Sequence, residues 1–228
     1  MSSANPIRSI KSFVRREGRL TNAQARALKE QWPKFGIEFG KSKFNIDLAF
    51  NRKAPLCIDI GVGTGDRTLH QAIKFPENNY LAIEVHRPGI GHLLNEIQQA
   101  NVNNIRIINH DVIPVLKQQI PDKSISQVFI FFPDPWPKKR HHKRRLINEE
   151  FITILKHKLC LHGRIHIATD WHDYAEHISS ICNNDNDLVN LAGEHHHAPR
   201  PDWRINTRYE KRGQRLQHDI YDFCFGLV

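Results

Sequence analysis

Residues 56–66 read LCIDIGVGTGD, a mainly apolar run of five residues that passes directly into three alternating glycines. A short apolar run bounded by glycine is typical of a buried strand. We predict a strand over 56–60, a tight turn through Gly61, Gly63 and Gly65, and a helix over 66–75. This strand–turn–helix unit is the first part of a βαβ crossover, so it indicates an α/β fold.

The alternation of strands and helices continues on both sides of this unit. On the N-terminal side, Thr21 is a candidate cap for a helix that reaches Gln31 and stops before Pro33. Strands that are apolar throughout are typical of a mostly parallel sheet covered by helices on both faces. Residues 219–225 alternate weakly and are a candidate antiparallel edge strand. The other predicted strands are 80–85, 105–108, 128–132 and 164–168, and the other predicted helices are 89–100, 112–119, 148–158 and 171–183.

The formal net charge of +9 is concentrated in two short segments. Residues 138–145 contribute six positive charges and residues 1–20 a net four, so the rest of the chain is close to neutral. Concentrated cations on a neutral body are typical of a surface that binds phosphates. The alternative is a solvated charge run. We expect residues 1–20 to be a mobile basic segment and residues 21–228 to form a single domain.

Acidic residues stand at the ends of the predicted strands. Asp59 lies near the end of the first strand, and Glu84, Asp111, Asp134 and Asp170 stand at the ends of the next four. In parallel α/β sheets, ligands bind beyond the carboxyl ends of the strands. We therefore expect these five carboxylates to converge on one crevice.

The glycine turn restricts what this crevice can bind. It is not a dinucleotide fingerprint, because Asp66 stands where that fingerprint has its third glycine or an alanine. A carboxylate there would repel a pyrophosphate, so a cofactor without phosphates, such as S-adenosyl-L-methionine, fits better. Glu84 is the candidate acceptor for ribose hydroxyls, Asp111 for an adenine amino group, and Asp59 for the cationic end. Ordinary capping or turn chemistry is the alternative for Glu84 and Asp111.

Residues 131–145 read FFPDPWPKKRHHKRR and are the most specific stretch of the chain. Each proline fixes its own φ and favours extended geometry in the residue before it, so we expect Asp134 to be held stiffly. Trp136 offers a flat face on which a base can stack. The alternative is a proline-rich turn whose tryptophan is only packed.

The stretch 131–145 resembles the signature of the bacterial tRNA (guanine-N7-)-methyltransferases, the TrmB family. Residues 15–21, 83–86, 168–171 and 207–210 resemble that family as well, so the similarity covers nearly the whole chain. The resemblance implies a Rossmann-like class I methyltransferase fold with a seven-stranded sheet. It also implies methyl transfer from S-adenosyl-L-methionine to N7 of guanine 46 in the variable loop of tRNA.

The resemblance further implies roles for individual residues. Asp134 matches the catalytic position, and Asp59 departs from the family, in which the longer Glu is usual. Cofactor-binding positions match Asp59, Glu84, Asp111 and Asp134, with Gly61, Gly63 and Gly65 in the glycine turn beside them. Substrate-binding positions match Lys138, Asp170, Thr207, Arg208, Tyr209 and Glu210. RNA-contacting positions match Arg140, His141, His142, Lys143, Arg144 and Arg145.

Three other functions are compatible with parts of the sequence. Methyltransferases of DNA or of exocyclic amines often carry two prolines after the acid at the fourth strand end, whereas here one proline and a basic run follow. A non-catalytic RNA-binding module would have no use for carboxylates beside phosphates. A nicotinamide oxidoreductase is disfavoured by Asp66.

The expected partner is tRNA. We expect no membrane contact, because no apolar run approaches the roughly 20 residues of a membrane helix. No obligate protein partner is expected, and the protein is expected to be a cytoplasmic monomer or homodimer. We also expect no metal, because three adjacent histidines, residues 195–197, cannot all face one ion on regular structure.

Overall fold

The computed structural model describes residues 11–13, 18–205, 210 and 219–228. Seven strands alternate with helices along this part of the chain. A π-helical turn, Val115–Gln119, and a 3-10 helix, Lys139–Arg144, complete the helical elements. The strands are β1 Leu56–Ile60, β2 Asn79–Ile83, β3 Ile105–Ile108, β4 Ile125–Phe131, β5 Leu159–Thr169, β6 Leu188–Asn190 and β7 Tyr221–Leu227. The α-helices are α1 Asn22–Glu30, α2 Trp32–Phe35, α3 Ile46–Phe50, α4 Asp66–Lys74, α5 Arg87–Gln99, α6 Val112–Pro114, α7 Glu149–Lys158 and α8 His172–Asn183.

The strands form one mixed sheet in the order β3-β2-β1-β4-β5-β7-β6. Strands β1 to β5 are parallel to one another, and β7 is antiparallel to both β5 and β6. The predicted α/β class, the seven strands and the antiparallel C-terminal strand are confirmed. That strand is not at the edge, however, because the short β6 pairs along its outer side. Three residues are too few to show a period of two, so β6 gave no sequence signal.

Helices cover both faces of the sheet, as predicted. On one face, Cys57, Tyr80 and Phe129 pack with the apolar sides of α1, α4 and α5. On the other, Ile58, Leu81 and the rest of a larger cluster pack with α7, α8 and the helical turn after β3. Every residue of β1 and β2 is buried, which explains why these strands read as apolar on both faces.

Capping chemistry sets the start of α1. The hydroxyl of Thr21 accepts a hydrogen bond from the Gln24 amide (3.2 Å), and the Gln24 side chain accepts one from the Thr21 amide (2.9 Å). This reciprocal capping box stabilises the first turn of a helix. Pro33 lies in the first turn of α2 rather than inside α1, because its missing N–H is tolerated there.

The predicted basic segment lies mostly outside the described residues. Its described part contacts the loop after β4: the Trp136 indole donates to the carbonyl of Ser12 (3.0 Å), and Arg144 donates to the carbonyl of Lys11 (3.1 Å). Residues 11–13 therefore lie against the fold, and the mobility of residues 1–20 stays a prediction.

Candidate active site

The strand order places a crevice beside the carboxyl ends of β1 and β4. From β1 the chain runs outward through β2 and β3 and then returns to β4 on the other side of β1, so the order reverses between β1 and β4. Ligands of open α/β sheets bind at this reversal. The glycine turn after β1, the end of β2 and the loop after β4 flank the crevice.

The glycine turn is open on the ligand side and tightly packed on the other. Gly61, Gly63 and Gly65 have φ of 74°, 60° and 80°, a region that side chains rarely adopt. A Cβ at Gly61 or Gly63 would meet no atom within 4 Å, so this backbone is exposed to an approaching ligand. A Cβ at Gly89, at the start of α5, would lie 2.0 Å from the carbonyl oxygen of Gly63. Residue 89 must therefore be small for α5 to pack against the turn.

Glu84 is held rigidly at the end of β2. One carboxylate oxygen accepts from the amide of Gly63 (2.8 Å), and the other accepts from the amides of Val85 (2.6 Å) and His86 (2.8 Å). Its own carbonyl accepts from Asn109 beyond β3 (2.8 Å), which joins three strand ends. Since each carboxylate oxygen can accept two hydrogen bonds, the oxygen bound to Gly63 has capacity for a ligand hydroxyl. The geometry fits the predicted ribose acceptor.

Asp59 is directed away from the crevice. It is 1% exposed, forms an ion pair with Arg67 of α4, and accepts a hydrogen bond from the hydroxyl of Thr68. Burial raises the pKa of Asp59, and the neighbouring guanidinium of Arg67 opposes that rise. Direct contact between Asp59 and a cofactor would require this pair to open, so the structure gives Asp59 a role in fixing α4 beneath the glycine turn.

Asp66 and Asp111 occupy the helix starts where the sequence places them. Asp66 begins α4, is exposed, and accepts from the hydroxyl of Thr64 (2.8 Å). Asp111 caps α6 by accepting from the amide of Ile113 (3.1 Å). The capping alternative for Asp111 is therefore realised, through one carboxylate oxygen, and its contact with a cofactor stays a prediction.

The loop after β4 has an unusual backbone. Phe132 and Trp136, each of which precedes a proline, have φ of 53° and 47°, so both lie in the left-handed region. The expectation of extended geometry is wrong at these two positions. The amide of Phe132 is fixed by the carbonyl of Ala168 (2.8 Å), and the indole of Trp136 by the carbonyl of Ser12. Such conformations cost on the order of 1–3 kcal/mol each and concentrate at functional sites. Asp134 is exposed at the middle of this loop.

The indole of Trp136 is partly covered within the protein. The guanidinium of Arg144 lies over the ring at 3.9 Å from its centroid, and the ring of His141 meets it edge-on. Arg144 therefore occupies one face of the ring. Stacking of a base on Trp136 stays a prediction.

The basic run divides into outward and inward side chains. Lys138, Lys139, Arg140 and Lys143 are exposed, and the two histidines between them are half-buried. Arg145 is 2% exposed and is ion-paired with Asp173, so its predicted contact with RNA would require this pair to open. Nothing in the sequence pattern predicts that this arginine is buried, because arginine is typical of surfaces.

The remaining predicted substrate residues are only partly described. Asp170 is half-buried just beyond β5. Glu210 is fully buried and forms ion pairs with Arg200 (2.9 Å) and Arg204 (3.1 Å), and Arg204 also pairs with Asp222 of β7 (2.6 Å). Thr207, Arg208 and Tyr209 lie outside the described residues. Sequence reasoning missed this buried ionic cluster and the pair of Asp59 with Arg67, because neither pairing leaves a spacing pattern.

Within the described ranges, no group of three or more His, Cys, Asp or Glu residues is arranged to hold a metal ion. None of the helices described is both long and apolar enough to cross a membrane.

Comparisons with known proteins agree with this architecture. A family model described as "Putative methyltransferase" matches residues 53–223. An rRNA methylase from Streptococcus thermophilus has a TM-score of 0.51 at 13% identity, over 77% of this chain and 87% of the other. TrmN from Thermus thermophilus has a TM-score of 0.54 at 14% identity, over 80% of this chain and 47% of the other. The fold and the glycine-lined crevice define a class I methyltransferase.

Sequence relatives identify the family within the class I methyltransferases to which this chain belongs. The chain is 44% identical to a tRNA (guanine-N(7)-)-methyltransferase of Aeromonas hydrophila, over 97% of this chain and 94% of the relative. It is 45% identical to the enzyme of that name from Nitrosospira multiformis, over 99% and 97%. The corresponding protein of Alkalilimnicola ehrlichii is 46% identical over 98% and 94%. The chain belongs to the tRNA (guanine-N(7)-)-methyltransferase family, and the predicted resemblance is confirmed.

Proposed function

We propose that this enzyme transfers a methyl group from S-adenosyl-L-methionine to N7 of guanine 46 in the variable loop of tRNA. The observation that carries the proposal is the loop after β4. It presents Asp134, exposed, between two left-handed residues, and the exposed cations Lys138 and Arg140 follow after Pro137. A carboxylate at the cofactor crevice and cations that suit phosphates thus share one short segment.

The crevice suits S-adenosyl-L-methionine. The exposed turn at Gly61 and Gly63 allows close approach of a ligand to the backbone, and Glu84 retains acceptor capacity for ribose hydroxyls. Asp66 at the start of α4 disfavours a pyrophosphate. Asp111 lies at the next strand end as the proposed acceptor for the adenine amino group. When bound, this cofactor supplies the electrophilic methyl group.

The residues of this chain orient the base and exclude water. N7 of guanine carries an in-plane lone pair, so no residue has to remove a proton before the attack. Alignment of two bound reactants can contribute roughly 7–11 kcal/mol to lowering a barrier. The rigid backbone on either side of Asp134 is suited to such alignment, since a loop with one geometry needs no reordering on binding.

A carboxylate near the base would stabilise the methylated product electrostatically. Methylation of N7 gives the base a positive charge, which a nearby carboxylate stabilises. Asp134 is the proposed partner of the base, and Asp170 is placed beyond the neighbouring strand β5 for a second contact. The proposed phosphate contacts are the exposed cations Lys138, Lys139, Arg140 and Lys143.

Labelled methyl groups test the proposal. The protein is incubated with S-adenosyl-L-methionine labelled in the methyl group and with unmodified tRNA transcripts. We expect one label per tRNA, and none when guanine 46 is replaced by adenine. Label in the transcript that carries adenine at position 46 would show that another nucleotide is methylated. Absence of label in every tRNA would contradict the proposed activity.

A further inference from the structure

The last two arginines of the basic run differ from the exposed cations before them. Arg145 is almost completely buried, and its Nε donates to the carbonyl oxygen of Pro135 (3.0 Å). Its Nη2 binds Asp173 of α8 and approaches Nε2 of His142 (3.2 Å), and its guanidinium lies 4.9 Å from the ring centroid of Tyr174. The fork of this arginine thus joins the loop after β4 to α8.

Arg144 holds the same loop from outside. Its guanidinium covers one face of Trp136, while its nitrogens donate to the carbonyls of Lys11 (3.1 Å) and Phe13 (3.4 Å). Trp136 itself donates to the carbonyl of Ser12. Two side chains of the loop region therefore bind three consecutive backbone carbonyls.

We propose that Arg144 and Arg145 are positioning residues, which hold the Pro-Asp-Pro-Trp loop around Asp134 instead of binding RNA phosphates. Pro135 directly follows Asp134. The hydrogen bond from Arg145 to the carbonyl of Pro135 therefore helps to set the position of the Asp134 carboxylate. The left-handed φ of Phe132 and Trp136 makes the external support necessary, because such conformations persist only where their surroundings fix them. The inference rests on the proposed function for its kinetic part alone.

The charge of Arg145 is neutralised within the protein by the carboxylate of Asp173. The hydrogen bond from Arg145 lowers the pKa of Asp173, so the pair stays ionised at neutral pH. A guanidinium that is buried and paired with a carboxylate is neither accessible to a phosphate nor left with a net charge to attract one. Lys143, one position before Arg144, is exposed and is the natural comparison.

The test compares Arg145→Lys and Asp173→Ala with Lys143→Ala and Glu176→Ala. Lysine keeps the charge but cannot bind Pro135 and Asp173 together through a planar fork. Asp173 is exposed, and Glu176 is a similarly exposed acid on the same helix. Because removal of Asp173 leaves the buried Arg145 without its carboxylate, urea denaturation of each variant first establishes that it is folded under the assay conditions. Amide hydrogen exchange of residues 131–137, kcat and KM for tRNA, and the salt dependence of tRNA binding are measured.

We expect Arg145→Lys and Asp173→Ala to speed exchange at the amide of Phe132, which donates to the carbonyl of Ala168 (2.8 Å) at the start of the loop. They should lower kcat, by on the order of 10–100-fold for Arg145→Lys, with KM and the salt slope nearly unchanged. Lys143→Ala should instead raise KM and reduce the salt slope by about one, with loop exchange like that of the wild type. Glu176→Ala should match the wild type throughout.

Exchange like that of the wild type in both Arg145→Lys and Asp173→Ala would overturn the inference. So would a raised KM and a reduced salt slope with normal kcat, since that is the behaviour of a phosphate contact. If the wild type transferred no methyl group to tRNA, the proposed function would fail, and the exchange measurement would still decide the role of Arg145.

Discussion

Asp134 is the residue on which the proposed reaction depends most directly. It is exposed in a loop whose backbone is fixed by other residues, so replacing Asp134 by Asn should leave the fold unchanged. Loss of the negative charge removes the stabilisation of the methylated base, and we expect kcat to fall by on the order of 10²–10³-fold. Steady-state methylation of tRNA measures this, with the circular dichroism spectrum as control. Near-normal kcat would show that the carboxylate does not stabilise the reaction.

The buried contacts of Asp59 lead us to expect a structural role for it in place of the cofactor contact that its family position implies. Its ion pair with Arg67 is fully buried, and removing one partner of such a pair typically costs about 3–5 kcal/mol. We therefore expect Asp59→Asn to lower the free energy of unfolding by roughly 3 kcal/mol, measured by urea denaturation. The folded variant should bind S-adenosyl-L-methionine with nearly normal Kd. Normal stability with much weaker binding would instead make Asp59 a direct ligand of the cofactor.

At the scale of elements, the contact between α5 and the glycine turn is the tightest in the site. Because a methyl group at residue 89 would overlap the carbonyl of Gly63, Gly89→Ala should displace α5 and cost about 1–3 kcal/mol of stability. The displacement also disturbs the amide of Gly63 that orients Glu84, so the Kd for S-adenosyl-L-methionine should rise. Calorimetry measures both quantities. Gly40→Ala is the matched control, because nothing lies within 4 Å of its added Cβ.

A Gly89→Ala variant with the stability and Kd of the Gly40→Ala control would show that α5 adjusts without effect. The close approach would then be a matter of packing and would carry no weight for the cofactor site.

The packing of β5 predicts a pH dependence of stability. His166 lies among Phe129 and Trp203, and burial lowers the pKa of His166 to about 4. A folded-state pKa below the unfolded value gives stability that is complete above about pH 6.5 and is lost as the pH falls towards 4. Between pH 7 and pH 5, His166 should account for a loss of about 2 kcal/mol. Asp222, whose pKa burial raises to about 6, acts in the opposite direction and must be held constant.

Urea denaturation of the wild type and of His166→Phe at pH 7 and pH 5 isolates this effect. Asp222 is present in both proteins, so it cancels in the comparison. We expect the wild type to lose about 2 kcal/mol more than the variant over this interval. Equal losses would mean that His166 becomes protonated in the folded state without cost.

The elements also show how far the sequence predicts this fold. Strands β1 and β3 were predicted with their observed bounds, because apolar runs between glycines, prolines and asparagines are a strong local signal. The crevice followed from topology alone, since parallel strands bring their carboxyl ends to one edge. What the sequence could not predict is the direction of side chains: Asp59 and Arg145 turn inward to partners 8 and 28 residues away. Ion pairs of this kind depend on tertiary packing, which the hydrophobic periodicity of the sequence does not predict.

At the scale of the whole molecule, charge distribution predicts how tRNA binding responds to salt. Four cations of the basic run, Lys138, Lys139, Arg140 and Lys143, are exposed, whereas the chain outside residues 1–20 and 138–145 is nearly neutral. If each neutralises one phosphate, the logarithm of the binding constant should fall against the logarithm of salt concentration with a slope of about −3. Filter binding between 50 and 200 mM salt (about a fourfold range) measures it. Arg140→Ala should make the slope shallower by about one, and an unchanged slope would remove Arg140 from the interface.

Chemical cleavage at the modified base tests the proposed methylation of N7 in guanine 46. The protein is incubated with S-adenosyl-L-methionine and an unmodified tRNA transcript, which is then treated with borohydride and aniline to cut the chain at 7-methylguanine. We predict one cut at guanine 46 in the variable loop, absent without the cofactor and absent with Asp134→Asn. Methyl transfer without any cut would contradict the assignment of N7, and a cut elsewhere would contradict the assignment of guanine 46.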